Sequence, residues 1–199
     1  MNRIVIFNAP PHAGKDTFAD TLCELLGIGR SLKFAKPLKE AAHALLGLKV
    51  SYDAFEHVKD IPNELFFGKT PREFYIWLSE VAVKPNHHLG HKFFGNVAVR
   101  TILNNSNSLQ TAVFSDGGFT SEIDVLSEHF GADKILNIQL EREGCDFAFD
   151  SRGYVIFPDV QTVRLKNDGA LNDLPQKIID EIYPLLGECV TVRATFQKV

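Results

Sequence analysis

The chain has 199 residues, ample for one substantial core and short for two domains. Hydrophobic residues make up 45% and charged residues 23%, and the formal net charge is −4, a balance that weighs against a polymeric nucleic-acid partner. Cys23, Cys145 and Cys189 are far apart and outside zinc spacing, no apolar run reaches about 18 residues, and the first residues read as a strand rather than a signal peptide. The expectation is a cytoplasmic protein with reduced thiols and no membrane contact.

Residues 3–8 (Arg-Ile-Val-Ile-Phe-Asn) read as a strand, and residues 9–17 (Ala-Pro-Pro-His-Ala-Gly-Lys-Asp-Thr) as a tight loop. A helix is predicted over 15–27, with Phe18, Leu22, Leu25 and Leu26 inward and Gly27 as its C-cap. Strand, Gly-Lys loop and helix in that order are the context of a phosphate-cradling P-loop, because N–H groups at a helix start lack intrahelical acceptors and the helix dipole is positive there. Ala9 stands where the first glycine of the motif is usual. Pro10 and Pro11 remove two donors, so the cradle should run from His12 to Thr17.

A short strand is predicted at 31–34, then a helix from Lys36-Pro37 to Gly47 burying Leu38, Ala41, Ala42 and Leu45. Residues 48–108 interrupt the alternation and look wholly helical. Thr70-Pro71-Arg72-Glu73 is a capping box, followed by an apolar stripe of Phe74, Trp77, Leu78 and Val81 that reads as core. Another helix spans 91–104, carrying Phe94, Val97, Ala98 and Ile102. His87, His88 and His91 lack acidic or Cys neighbours at metal spacing and read as a polar loop.

Residues 110–116 form the next predicted strand, and Ser121 with Asp124 can cap a helix ending at Gly131. A strand follows at 134–140. Residues 141–158, polar and glycine-containing, resemble a mobile lid. A fifth strand at 160–165, a turn at Asn167-Asp168-Gly169 and a helix over 171–186 with Leu174, Ile178, Ile182 and Leu185 inward complete the alternation. The 188–199 tail alternates as an edge strand would. The pattern is α/β: a five-stranded, mainly parallel sheet with helices on both faces, and ligands beyond the carboxyl ends of its strands.

Five stretches resemble, in order, the phage-type deoxynucleoside monophosphate kinases of the P-loop nucleoside monophosphate kinase superfamily. They are Gly14-Lys15-Asp16-Thr17, Phe34-Ala35-Lys36-Pro37-Leu38-Lys39-Glu40, Gly68-Lys69-Thr70-Pro71-Arg72-Glu73, Ser115-Asp116 to Glu122, and Leu165-Lys166-Asn167-Asp168-Gly169. The resemblance implies a single three-layer P-loop kinase domain over 1–199, with an acceptor-binding insert at about 48–108 and a lid at about 141–158. It implies transfer of the ATP γ-phosphoryl group to a deoxynucleoside 5′-monophosphate with Mg²⁺, in a host cytoplasm if the chain is phage-encoded; a homodimer is left open. Two departures stand out. Asp116-Gly117-Gly118-Phe119 puts Gly118 where the family carries arginine, so that one phosphate contact is either missing or supplied from elsewhere, with Arg100 and Arg72 as candidates, and Ser79-Glu80 keeps only the glutamate of a Gly-Thr-Glu segment.

Phosphoryl transfer needs positioning and charge neutralisation, and the roles follow. Lys15 would bridge the β- and γ-phosphates, within an ATP site of Pro11, His12, Ala13, Gly14, Lys15, Asp16, Thr17, Asn167 and Gly169. Asp16, Thr17 and Asp116 are the Mg²⁺ candidates, although plain helix capping accounts for Thr17 almost as well and for Asp116 in part. Lys15, Asp16, Asp116, Arg142 and Arg152 form the catalytic set, the two arginines bordering the lid. Phe34, Lys36, Lys39, Arg72, Glu80, Arg100 and Phe119 are the acceptor-binding set, and solvated surface charge is the plain alternative for the cations among them. Competing readings are a P-loop kinase for another small phosphorylated acceptor, such as phosphomevalonate or dephospho-coenzyme A, and a nucleotide-binding regulator or GTPase-like switch. No Asn-Lys-x-Asp guanine motif supports the switch.

Overall fold

Strand β1 (Arg3–Asn8) is apolar on both sides because both are covered: Val5 and Phe7 face one helical layer, Ile4 and Ile6 the other. The structure is a computed structural model that describes residues 3–105, 111–148, 150 and 152–187. Strands β2 (Thr111–Gly117), β3 (Ile135–Glu141) and β4 (Gln161–Lys166) complete a parallel sheet in the order β2-β1-β3-β4. The predicted strand at 31–34 shrinks to one bridge on the outer edge of β2, where Leu32 donates to Val113 O at 2.7 Å and accepts from Ser115 N–H at 3.1 Å. It stops there because the next N–H groups, of Phe34 and Ala35, turn to the Asp116 carboxylate. Four strands and a bridge replace the expected five.

Helices α1 (Lys15–Leu26) and α6 (Leu174–Glu181) cover one face through Phe18, Leu22, Leu174 and Ile178. On the other face, α4 (Phe93–Asn104) and α5 (Thr120–Phe130) contribute Ala98, Ile102, Ile123 and Leu126. The predicted last helix is divided: Pro184 cannot continue an α-helical ladder, so a 3₁₀ turn at Tyr183–Leu185 follows α6 and Leu186, not Leu185, is fully buried. The start of α5 also differs. Glu122, not Ser121 or Asp124, caps it, its Oε2 accepting N–H groups from Gly118 and Phe119 at 3.1 Å each, while Asp124 pairs with Lys92 at 2.8 Å.

A third apolar cluster lies off the sheet, built from α2 (Lys36–Leu45), 3₁₀ turns at Tyr52–Val58 and Glu64–Phe66, and α3 (Pro71–Trp77) with its π-helical continuation Leu78–Val83. The Thr70–Glu73 capping box forms as predicted. The stripe forms in part: Leu78 is buried and Phe74 packs half-buried against the cluster, but Trp77 and Val81 are exposed, and Tyr75 and Val83 take inward positions instead. The wider π turn moves the inward position from Val81 to Val83. On α2, Ala41 and Leu45 are exposed where burial was expected. The helix presents His43 instead, with Nε2 2.8 Å from Tyr75 OH and Nδ1 3.0 Å from Val50 O. Gln110 and the 188–199 tail lie outside the described residues.

Between β3 and β4 the described residues have no helix or strand, yet the later part is anchored. Val155 N–H donates to Asn8 Oδ1 at 2.7 Å, and Val155 O accepts from Asn137 Nδ2 at 3.0 Å and Gln139 Nε2 at 2.9 Å. Asn8 Nδ2 donates to Gly153 O at 2.9 Å and Gly117 O at 3.2 Å. Asn8→Asp keeps the shape and removes those donors, setting a carboxylate against two carbonyls. We expect a loss of about 2–4 kcal/mol at pH 8, partly recovered at pH 5 as the new carboxyl regains a proton to donate. Urea midpoints at the two pH values test this; a loss independent of pH would show that the donors do not matter.

Candidate active site

The carboxyl ends of β1 and β2 and the anchored segment 152–155 converge on the start of α1. His12 at φ 64° and Gly14 at φ 90° take left-handed conformations that fold the loop over the helix end. Gly14 is the N-cap and has no side chain to give, and the first helical hydrogen bond is Phe18 N–H to Gly14 O at 3.0 Å. The N–H groups of Lys15, Asp16 and Thr17 therefore precede the ladder. From the far side, Asn167 Nδ2 donates to Ala13 O at 2.9 Å, and a Cβ at position 14 would stand 2.5 Å from that nitrogen. Glycine is required here twice over.

Lys15 is 9% exposed, and its Nζ reaches only Pro10 O at 3.4 Å; among the described residues it makes no ion pair. Burial, and then the charge of Arg152, lower its pKa against the pull of Asp16, Asp116 and Asp150. Asp16 Oδ1 accepts from Ser115 Oγ at 2.9 Å and pairs with Lys33 at 3.0 Å. Burial raises the Asp16 pKa, but Lys33 and Ser115 outweigh it and hold the carboxyl below its usual range. Asp116 has a role of another kind: Oδ1 and Oδ2 accept the N–H groups of Phe34 and Ala35 at 2.8 and 3.0 Å and so pin the start of α2. Burial pushes its pKa up. Arg152 donates through Nε and Nη2 to Asp150 at 2.8 and 2.5 Å.

These groups form one end of a cleft of about 460 Å³. Of the predicted residues, Lys15, Asp16, Asp116 and Arg152 line that end, and Phe34, Lys39, Arg72, Glu80 and Phe119 line the rest. In the rest of the lining Glu56 ion-pairs with both Lys39 and Lys59, the latter at 3.2 Å, and Arg72 Nε meets Asp60 at 2.5 Å. Lys84 Nζ sits 3.6 Å over the Phe119 ring and 2.6 Å from Glu80, and Phe34 stacks on Phe114 at 4.3 Å. The structure does not bring in Lys36, which lines a separate cavity of about 250 Å³ and lies 3.8 Å from Glu40. Arg100 and Arg142 are exposed and outside the cleft lining. Pro11, His12, Ala13, Gly14, Thr17 and Asn167 shape the loop rather than the cleft wall, and the Cβ position of Gly169 opens on empty space.

Sequence reasoning missed Lys33, Glu56, Lys59, Glu122 and Asp150, all of which line the cleft. The alternation of acid and base at Asp150-Ser151-Arg152 was the one local signal. Among the described residues no group of three His, Cys, Asp or Glu side chains is placed to hold a metal, and no helix is long and apolar enough to cross a membrane.

No family model matches this chain, and no curated protein matches it in sequence. The unliganded crystal structure of a sugar kinase from Janibacter sp. is similar over 94% of this chain and 99% of its own, with 12% identity and a TM-score of 0.49. The geometry of the cleft itself must carry the function.

Glu122 supplies a test of that geometry. It is 4% exposed, and burial followed by the Asp116 charge pushes its pKa up to about 8. A carboxyl whose folded pKa is raised stabilises the fold fully below its unfolded pKa, and that contribution is lost as pH rises towards 8. Both caps fall on one oxygen, so Glu122→Gln can keep them. We expect wild-type urea midpoints to fall between pH 5 and 9 and the fall to be shallower in Glu122→Gln. Parallel curves would place the titration elsewhere.

Proposed function

We propose that this protein is an ATP-dependent P-loop kinase that phosphorylates a deoxynucleoside 5′-monophosphate, giving the diphosphate and ADP. The observation that carries the reading is Lys15: a buried ammonium with one long carbonyl contact, beside helix N–H groups that precede the ladder. A buried cation without a direct ion pair is costly, and an incoming polyphosphate would supply the missing contact. The donors fit ATP phosphates in kind: backbone N–H groups and a lysine, at the carboxyl end of a central parallel strand.

When bound, Mg²⁺ would supply neutralisation of phosphate charge. Asp16, with its carboxylate half-exposed, and the exposed Thr17 offer oxygens of the right hardness at the loop's edge. Asp116, whose oxygens already hold two N–H groups, would add negative charge beside them. Lys15 would follow the γ-phosphoryl group while its bond to the bridging oxygen breaks and a bond to an acceptor phosphate oxygen forms. Lys39, Lys59 and Arg72 in the rest of the lining are suited to the acceptor's phosphate, and the half-buried Phe119 ring to a planar base.

Lys15→Ala should keep the fold and lower turnover at least about a hundredfold, since each lost 1.4 kcal/mol of transition-state stabilisation is tenfold in rate. Unchanged turnover in folded protein would remove the loop from the mechanism. A coupled ADP-release assay across deoxynucleoside monophosphates, ribonucleoside monophosphates and non-nucleotide phosphorylated acceptors tests the acceptor itself. Preference for a non-nucleotide acceptor would overturn the reading.

The two sets of cations should separate kinetically. Arg72→Ala removes a cation from the proposed acceptor set and should raise the KM for the monophosphate well above any change for ATP. Asn167→Ala frees the Ala13 carbonyl and loosens the loop, so the KM for ATP should rise instead. Equal effects on both constants would sink the division.

A further inference from the structure

Arg152 lies directly against Gly118. A Cβ at position 118 would stand 2.6, 2.8 and 2.9 Å from Arg152 Cδ, Cγ and Cβ, closer than such atoms approach. Gly118 is not among the residues with positive φ, so its backbone does not ask for glycine. The space above it does. Asp150 fixes the far end of the side chain through Nε and Nη2, leaving the Nη1 donors without a hydrogen bond among the described residues. Asn8 holds the chain just beyond, at Gly153 and Val155. The side chains of Arg152 and Asp150 are only 20% and 11% exposed, so this is a built arrangement rather than a surface pair.

Arg152 shares this end of the cleft with Lys15 and is close enough that its charge disfavours the lysine's. Two cations gathered against their mutual repulsion, one without an ion pair and the other with free donors, make a receptor for a multiply charged anion. We infer that Gly118 and Asp150 are positioning residues that seat Arg152 as the second phosphate-binding cation beside Lys15. The kinetic consequence rests on the proposed kinase reading; the anion-binding consequence does not.

The test is a double-mutant cycle on the full chain, read first by calorimetric titration with inorganic tripolyphosphate. Lys15→Ala serves as the reference for loss of binding. Arg152→Ala and Gly118→Ala should each weaken binding about tenfold, the scale of a lost charge-assisted contact. The Gly118→Ala/Arg152→Ala double variant should bind no worse than Arg152→Ala alone, because the glycine acts only through the arginine. The same non-additivity should appear in kcat. A silent Gly118→Ala, a double variant showing the product of both losses, or a wild type that does not bind tripolyphosphate would overturn the seat. If Gly118→Ala does not fold by circular dichroism, Asp150→Asn paired with Arg152→Ala carries the same cycle with the same expectations. A wild type that shows the coupling yet phosphorylates no nucleoside monophosphate would refute the proposed acceptor and leave the seat standing. Efficient phosphorylation with a silent Gly118→Ala would do the reverse.

Discussion

The cleft depends on one buried amide. Asn8 ends β1, an inner strand of the sheet, and its side chain touches the end of β2 at Gly117 and the β3–β4 connection at Gly153 and Val155. The next residues along the chain form the loop that leads into α1. A single side chain thus sets the relative position of the loop that carries Lys15, the turn that carries Gly118 and the segment that carries Arg152. Each group it satisfies would cost about 1–3 kcal/mol if left buried and unpaired, so alternative arrangements of these segments are disfavoured together.

Among the described residues, the cations lining the cleft follow a rule with one exception. Lys33 is matched by Asp16, Arg152 by Asp150, Lys39 and Lys59 by Glu56, and Arg72 by Asp60. Several of these pairs are substantially exposed, and exposed pairs are worth little net energy. On the proposed reading, their cations could change partner at small cost when a phosphate arrives. Lys15 is the exception, with no ion pair to give up among the described residues, so its attraction for an anion is not offset by a broken salt bridge.

The parallel sheet, its two helical layers and the Gly-Lys loop were legible because they are written in local pattern: continuous apolar strands, caps and glycines. The capping box at Thr70–Glu73 was read in full for the same reason. What was not legible came from pairings distant in sequence. Asp116 reads as a metal carboxylate by position, yet its oxygens are taken by N–H groups some eighty residues earlier, at Phe34 and Ala35. Arg142 and Arg152 look equivalent along the chain, and only the folded connection places one in the cleft and the other in solvent. The π turn after Trp77 defeated a stripe drawn at helical period, because nothing in Leu78–Val83 announces a change of period.

Helix α2 is held at two places along its length. Its start is pinned to the end of β2 by the two hydrogen bonds of Asp116. Its second half is pinned to the off-sheet cluster by His43. If the ring is neutral, with Nδ1–H donating to Val50 O, then Nε2 accepts from the Tyr75 hydroxyl. Lys39 lies between these anchors, with Nζ 5.2 Å from the Tyr52 ring centroid and 5.7 Å from that of Tyr75. On the proposed kinase reading, a helix tied at two places would hold the two phosphate-binding groups at one separation. Transfer between two bound phosphates depends on such a fixed separation, since a misplacement of about 1 Å can cost a hundredfold in rate.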